Sequence, residues 1–151
     1  DTSNTLRTGR HCVFNLHVHL VFVTKYRYGV LSSQALESLK EIFQAVCRDF
    51  EAELVETNGE DDHVHLLVHY PPKVPVSKLV NSLKGVSSRL LKKKHPELEK
   101  KYWKGKLWSP SYFAGLAVVL PYQSFGNSGT AKEEVVFKAI FWKNDLEKHL
   151  I

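Results

Sequence analysis

Every second residue over Cys12–Phe22 is apolar, and this pattern constrains the fold more than any other feature of the chain. Side chains point alternately to the two faces of a β-strand, so a strand of this length would place one continuous apolar face in a core. The residues that would share that face are Phe14, Leu16, Val18, Leu20 and Phe22. The alternation therefore predicts a long strand in a sheet covered on one side.

The segments that follow predict the remaining elements of an α+β domain. They are a helix capped by Ser32 or Ser33, a hairpin of strands at about 52–57 and 63–70 joined at Asn58-Gly59, a helix from Ser77, and a strand at 107–113. The order β-α-β-β-α-β is that of a ferredoxin-like sandwich with a central antiparallel sheet, in which the first and third strands are neighbours. Because the register is unknown, it stays open whether His17 and His19 share a face with the histidines of the third strand.

The third predicted strand carries two histidines separated by one residue, in Asp62-His63-Val64-His65-Leu66-Leu67. His63 and His65 point to the same face of a strand and can hold a divalent ion if a third ligand comes from elsewhere. An alternative interpretation is that they mark the solvated face of a half-buried strand. Asp61 and Asp62 fit a turn, although either carboxylate could complete a metal site. His69 is interpreted as structural.

Positive charge indicates an anionic partner. The 151 residues carry a net charge of +5, with a sequence pI near 9.2. Lysines and arginines run along the second predicted helix and continue beside Tyr102, Trp103 and Trp108. Phosphate contacts and stacking rings are what single-stranded nucleic acid requires. The basic candidates for DNA contact are Lys25, Arg27, Lys84 and Arg89.

Composition excludes several classes of protein. A hydrophobic content of 43% excludes global disorder, and two cysteines without a Cys-x-x-Cys motif argue against a disulfide scaffold. Residues 1–10 read as a polar tail without the apolar core of a signal peptide, and no apolar run is long enough to span a membrane. We therefore expect a cytoplasmic protein.

Four segments resemble the single-tyrosine transposases of IS200/IS605 insertion sequences, which are His-hydrophobic-His nucleases. In chain order they are His19-Leu20-Val21-Phe22-Val23-Thr24-Lys25-Tyr26-Arg27, Asp62-His63-Val64-His65-Leu66-Leu67, Ser77-Lys78-Leu79-Val80-Asn81-Ser82-Leu83-Lys84 and Leu107-Trp108-Ser109-Pro110-Ser111-Tyr112-Phe113. The resemblance covers about residues 10–115, so residues 11–115 are expected to form the catalytic and DNA-binding domain.

The resemblance implies a prokaryotic transposase that cleaves and rejoins single-stranded DNA at hairpin ends of a mobile element and associates with the nucleoid when bound to DNA. It implies that His63 and His65 bind Mg²⁺ or Mn²⁺, and that a tyrosine on a C-terminal helix attacks the phosphate and keeps it as a phosphotyrosine. It also implies a homodimer, in which each tyrosine helix reaches the histidine pair of the other protomer.

Residues 116–151 depart from the family. The position of the tyrosine holds Ser128 and that of a metal-binding glutamine holds Lys132, so the catalytic nucleophile is unknown and Tyr122 is a weak substitute in a predicted loop. A one-base frame slip near Gly115 is one hypothesis for the break. A capping box at Thr130-Ala131-Lys132-Glu133 nevertheless predicts a helix at 131–149.

Three other functions stay open beside an active transposase. The chain could be a catalytically inactive DNA-binding relic that lacks the tyrosine, or a metal-dependent nuclease that uses bound water. An RNA-binding module of the same fold is the third, although the chain has no aromatic-rich RNP motif.

Overall fold

The computed structural model describes residues 7–8, 13–103, 105–123 and 131–143, with the backbone alone at 7–8, 13–15, 117–123 and 131–143. Six strands and three helices follow one another in this part of the chain. They are β1 (Arg7–Thr8), β2 (Val13–Thr24), α1 (Ser33–Asp49), β3 (Glu53–Gly59), β4 (His63–Tyr70), α2 (Val76–Lys94), α3 (Pro96–Lys101), β5 (Trp108–Gln123) and β6 (Ala131–Lys143). None of the described helices is long and apolar enough to cross a membrane.

The strands form one antiparallel sheet in the order β3-β4-β2-β5-β6, and β1 pairs with β2. The predicted α+β, ferredoxin-like arrangement is confirmed, because β2 and β4, the first and third strands of the motif, are neighbours at its centre. In the predicted polar tail, Arg7 pairs with Phe14 and Thr8 pairs with Val13.

Alternation along β2 and β4 separates a buried face from a histidine-bearing face. Val18, Leu20 and Phe22 are fully buried, and Val64, Leu66 and Val68 lie beside them on β4. The helices cover this face with further fully buried side chains, among them Phe43, Leu39, Leu79 and Leu83. Burial of these apolar residues against α1 and α2 provides the main stabilisation of the sheet, so the opposite face is left for polar side chains.

Local signals in the sequence explain how the elements begin and turn. The Ser32 hydroxyl accepts a hydrogen bond from the Ala35 amide at 3.1 Å, which caps α1 as predicted. In the β3–β4 hairpin, a Cβ on Gly59 would lie 2.7 Å from the carbonyl oxygen of His63. Only glycine permits that approach, and the Glu60 amide then bonds the same carbonyl at 2.9 Å. The turn thus brings His63 to the first position of β4.

Two buried serines attach α2 to the start of β5. The Trp108 indole N–H donates to the Ser87 hydroxyl at 2.8 Å, and the Leu107 amide donates to the Ser88 hydroxyl at 2.9 Å. Trp108 is therefore a core residue, as is Tyr102, and neither ring is available as the stacking platform that the sequence indicated. Trp103 is exposed.

The predicted C-terminal helix at 131–149 is wrong over residues 131–143, where β6 pairs with β5 from Tyr112↔Lys143 to Gln123↔Ala131. The remaining predicted positions, 144–149, lie outside the described residues. The segment is rich in β-branched and aromatic residues, which favour strands, and β5 offers an edge on which they can pair. The predicted loop around Tyr122 is also wrong, because β5 continues through that residue.

Candidate metal and nucleic-acid site

The register of the sheet brings histidines from two strands onto one face. His63 lies opposite Val23, His65 opposite Val21, and Leu67 opposite His19. Residues directly opposite each other in antiparallel strands project to the same side, so His19, His63 and His65 share the face away from the helices. The ring centroids of His63 and His65 are 5.2 Å apart, and those of His19 and His65 are 5.4 Å apart.

Asp62 links His63 to Arg27. His63 Nδ1 donates to Asp62 Oδ1 at 2.8 Å, and Arg27 Nε donates to Asp62 Oδ2 at 3.1 Å. The hydrogen bond from His63, and then the hydrogen bond and charge of Arg27, hold the pKa of Asp62 below its ordinary value. The carboxylate therefore stays ionised and orients the His63 ring, which leaves Nε2 as the nitrogen with an available lone pair.

His65 is positioned by His19. His65 Nδ1 and His19 Nε2 lie 3.3 Å apart, and in the tautomer in which His65 donates, its Nε2 also carries a lone pair. Burial, followed by repulsion from His19 and His63, lowers the pKa of His65 below its ordinary value. The ring is consequently neutral at physiological pH, and a neutral imidazole is the form that binds a metal.

The donor set fits half of a site for a divalent ion. Two imidazoles on a rigid strand, one of them oriented by a carboxylate, are a common pair of ligands. Among the residues that the structure describes, however, no group of three or more His, Cys, Asp or Glu side chains is arranged to hold a metal. Asp62 bonds His63 at Nδ1, the ring nitrogen opposite the proposed ligand atom, and bonds Arg27 through its other oxygen. The Asp61 carboxylate lies against Gly29.

The four basic candidates fall in two places. Arg27 and Lys25 lie in the single 3₁₀ turn, Lys25–Arg27, that follows β2, and Arg27 joins the histidine site through Asp62. Lys84 and Arg89 belong to α2, on the other side of the sheet. Lys84 Nζ donates to the Ser109 and Pro110 carbonyls at 2.7 and 3.3 Å, which makes it a tether for β5.

Arg89 is exposed and lines an open cavity of about 400 Å³ together with Lys92 and Lys106. Lys92 donates to the Tyr102 and Gly105 carbonyls, so part of this basic group also holds the loop after α3. The structure therefore connects Arg27 to the histidine pair through Asp62 and leaves Lys84 and Arg89 apart from it, while Lys25 Nζ lies 3.6 Å from the position that a Cβ on Gly105 would take.

Neither Tyr112 nor Tyr122, the weak substitute nucleophile, lies at the histidine pair. Tyr112 is buried on the helix side, with its ring centroid 6.4 Å from that of Phe22, so its role is packing. Phe113 lies in the same cross-strand row as His65, and Tyr122 is nine residues further along β5. At about 3.3 Å per residue this separates Tyr122 from the row of His65 by roughly 30 Å. Ser128 lies outside the described residues, and Lys132 pairs with Tyr122 in β6.

Sequence reasoning missed the contacts that orient the two histidines. The sequence gives His19 no role because it does not define the register, and it indicates for Asp62 only a turn or a metal ligand. A carboxylate directly before a histidine is a signal for the contact between Asp62 and His63. Nothing in the sequence indicates that Arg27, 35 positions earlier, shares that carboxylate.

Comparisons with known proteins agree with these features. The family model described as "Transposase IS200 like" matches residues 12–118, so the match ends close to where the sequence departs from the family. The ISDra2 transposase TnpA of Deinococcus radiodurans is 36% identical over 107 residues, which are 71% of this chain and 76% of that protein. The transposase for insertion sequence element IS200 of Salmonella typhimurium is 30% identical over 103 residues, which are 68% of each chain.

A solved structure has the same fold. The crystal structure of a protein assigned as a transposase from D. radiodurans R1 superposes with a TM-score of 0.66 at 36% identity. The superposition covers 72% of this chain and 83% of the other.

Proposed function

Because this chain belongs to the family of IS200-like transposases, we propose that it binds and cleaves single-stranded DNA at the ends of an insertion sequence with His63 and His65 as ligands of Mg²⁺ or Mn²⁺. The observation that carries the proposal is the pair of histidines on β4, each with its Nδ1 in contact with a neighbouring side chain. That arrangement presents two Nε2 atoms from one rigid strand.

The residues around the pair have separate tasks in this proposal. A bound divalent ion would neutralise charge that develops on the phosphate oxygens. Asp62 holds the tautomer and orientation of His63, and His19 contacts Nδ1 of His65. Arg27 is 69% exposed, and its Nε donates a hydrogen bond to Asp62. The rest of its guanidinium attracts the phosphates that flank the site.

The cleavage that we propose is a transesterification. An oxygen nucleophile forms a bond to phosphorus while the bond from phosphorus to the 3′ oxygen of the neighbouring nucleotide breaks, and no water is consumed, so the reverse step rejoins the strand. Tyr122 is too far along β5 to attack at the histidine pair of its own chain. It is a candidate only if a second copy supplies it, as the family's homodimer would allow. A cytoplasmic, nucleoid-associated location stays a prediction.

A second candidate function is that of a DNA-binding relic. The observation that favours it is β6, which forms a strand where the family has the tyrosine helix and which carries Lys132 at the position of the glutamine. A chain without nucleophile and third ligand would keep the basic surface and the histidines but cleave nothing. A hydrolytic nuclease is an outcome of the same experiment.

The test is a covalent-adduct assay. Labelled single-stranded hairpin DNA from the element's own ends is incubated with the protein and Mn²⁺, and the mixture is separated on a denaturing protein gel. An active transposase gives a labelled protein band that is absent in His63→Ala and retained in His17→Ala, a matched change on the same face of the sheet. Mass spectrometry of the band then locates the nucleophile.

The other outcomes separate the remaining functions. Shortened DNA without a labelled protein band identifies hydrolysis. Retarded DNA on a native gel, with neither cleavage nor band, identifies the relic. Cleavage that is equally strong in His63→Ala and wild type would overturn the assignment of the histidine pair.

A further inference from the structure

Aromatic rings gather beside the histidine site on the turn after β2. Tyr26 and Tyr28 have ring centroids 5.5 Å apart, and Tyr28 and Tyr102 have centroids 5.7 Å apart. We call these three tyrosines the aromatic ledge. Tyr102 is buried, and its hydroxyl donates to the Lys25 carbonyl at 3.0 Å, so it forms the fixed base. The outermost ring, Tyr26, is 68% exposed.

The backbone of the ledge is strained and firmly held. Tyr26 and Arg27 have φ values of 66° and 56°, in the left-handed region that non-glycine residues rarely adopt. The buried Thr24 hydroxyl donates to the Tyr28 carbonyl at 2.8 Å and closes the turn from inside. Strain that the surroundings maintain is characteristic of binding and catalytic segments. In this turn the strained backbone holds the Tyr26 ring in solvent.

Cations lie against the rings of the ledge. Lys101 Nζ is 4.6 Å from the centroid of the Tyr28 ring, and Lys25 Nζ is 5.5 Å from that of Tyr26. A flat ring beside an ammonium group can bind a nucleobase and its phosphate together, since the ring stacks on the base and the cation pairs with the phosphate.

The ledge is joined directly to the proposed metal site. Arg27 stands between its two exposed tyrosines in the chain and donates to Asp62, which in turn accepts from His63. A strand whose phosphate lies at the histidines would therefore have its neighbouring nucleotide at the ledge.

We propose that Tyr26 and Tyr28 stack on an unpaired base next to the phosphate bound at His63 and His65, while Lys25 and Lys101 contact flanking phosphates. The inference rests on the proposed function, because it requires single-stranded DNA as the ligand. It adds that the chain binds the bases of the DNA by stacking, in addition to binding the phosphates of its backbone.

The test compares two oligonucleotides of equal charge by fluorescence anisotropy. One is a labelled single-stranded dT8, and the other is an eight-unit strand of abasic sites. Wild type should bind dT8 more tightly than the abasic strand. Tyr26→Ala should weaken dT8 binding roughly 5- to 150-fold and leave the abasic strand unaffected, since stacking on one base is worth about that factor. Tyr26→Phe should retain the wild-type affinity.

Val55→Ala is the matched control, because Val55 is an exposed apolar residue in β3. Stacking releases no counterions, so Tyr26→Ala should leave the salt dependence of dT8 binding unchanged. Equal affinity of wild type for both strands, or of Tyr26→Ala and wild type for dT8, would overturn the ledge and leave the proposed function standing. Wild type that binds neither strand would overturn the ledge, and failure to bind the hairpin DNA of the adduct assay as well would overturn the proposed function.

Discussion

Replacement of Asp62 by asparagine tests whether His63 is a ligand oriented by a carboxylate. The native carboxylate accepts two hydrogen bonds from two donors, at 2.8 Å from His63 Nδ1 and 3.1 Å from Arg27 Nε. The asparagine side chain has one acceptor oxygen, so its NH₂ group must face one of these donors. The substitution also removes a negative charge next to the proposed cation site.

Both effects weaken metal binding, so we expect the affinity for Mn²⁺ to fall roughly 10- to 100-fold, the usual effect of losing the partner of a metal-bound histidine. The assay is a titration of Mn²⁺ followed by the electron paramagnetic resonance signal of the free ion, in the presence of excess single-stranded DNA. Asp62→Ala, which removes both acceptors, should weaken binding at least as much.

Asp61→Asn is the control, because it makes the same chemical change one residue away from the carboxylate that His63 bonds. Its Mn²⁺ affinity should stay within a factor of two or so of wild type, since the backbone carbonyl that bonds the Leu31 amide is unchanged. Equal losses in Asp61→Asn and Asp62→Asn would refute the reasoning, because general loss of negative charge would then explain both.

Three further predictions concern stability, thiol chemistry and DNA binding. Ser87→Ala leaves the buried Trp108 N–H without its acceptor and should lower the free energy of unfolding in urea by about 1–3 kcal/mol. In a protein that already carries Trp108→Phe, Ser87→Ala should lower the free energy of unfolding by about 1 kcal/mol less than it does in wild type. Strict additivity of the two substitutions would contradict the hydrogen bond. Burial raises the pKa of the Cys47 thiol to about 12, so in a Cys12→Ser protein Cys47 should resist a disulfide reagent at pH 8 until urea is added. Its stabilising contribution is full below the ordinary thiol pKa and is lost as pH rises towards 12; a Cys47→Ala protein with the same decline in stability above about pH 9 would contradict this. Arg89→Gln should lower the slope of log affinity against log salt for single-stranded DNA by about 0.7, and an unchanged slope would show that Arg89 makes no phosphate contact.

Much of the fold follows from short-range patterns that physical chemistry interprets directly. The alternation in β2 separates a core face from a histidine face, Asn58-Gly59 marks the hairpin, and Ser32 caps α1 as expected. These signals act within a few residues of one another, so the sequence alone is sufficient to read them. The shared side of His63 and His65 follows from the same period of two.

Contacts that depend on register could not be predicted. A slip of one residue between β2 and β4 would turn His19 to the other side of the sheet from His65, and no local signal decides between the two pairings. The bond from Arg27 to Asp62 likewise depends on how the turn after β2 meets the β3–β4 hairpin. The left-handed backbone at Tyr26 has no sequence marker either, because glycine is the residue that such a conformation usually indicates.

The C-terminal error has a different cause, because the sequence there supports two local structures. A capping box and an apolar stripe at helical spacing favour a helix, while Val135-Val136-Phe137 and Ile140-Phe141-Trp142 favour a strand. The edge of β5 decides between helix and strand. If residues 131–143 formed a helix elsewhere, the backbone groups along that edge of β5 would stay unpaired, and pairing with β6 satisfies them. The helix and strand propensities of the segment itself contain no information about that edge.

The histidine pair and the segment that carries the family's nucleophile therefore differ in how the fold holds them. The histidines stand on β4 between β3 and β2, and their strand is anchored by the fully buried Leu66 and Val68, so the half-site is preserved whenever the domain folds. The tyrosine and glutamine positions of the family belong to a segment that follows that core. In this chain Ser128 lies outside the described residues, and Lys132 pairs with Tyr122 of β5. A change there can remove catalysis while the fold, the histidine pair and the ledge persist. An intact histidine pair therefore follows from an intact core, and metal binding and cleavage each have to be measured separately.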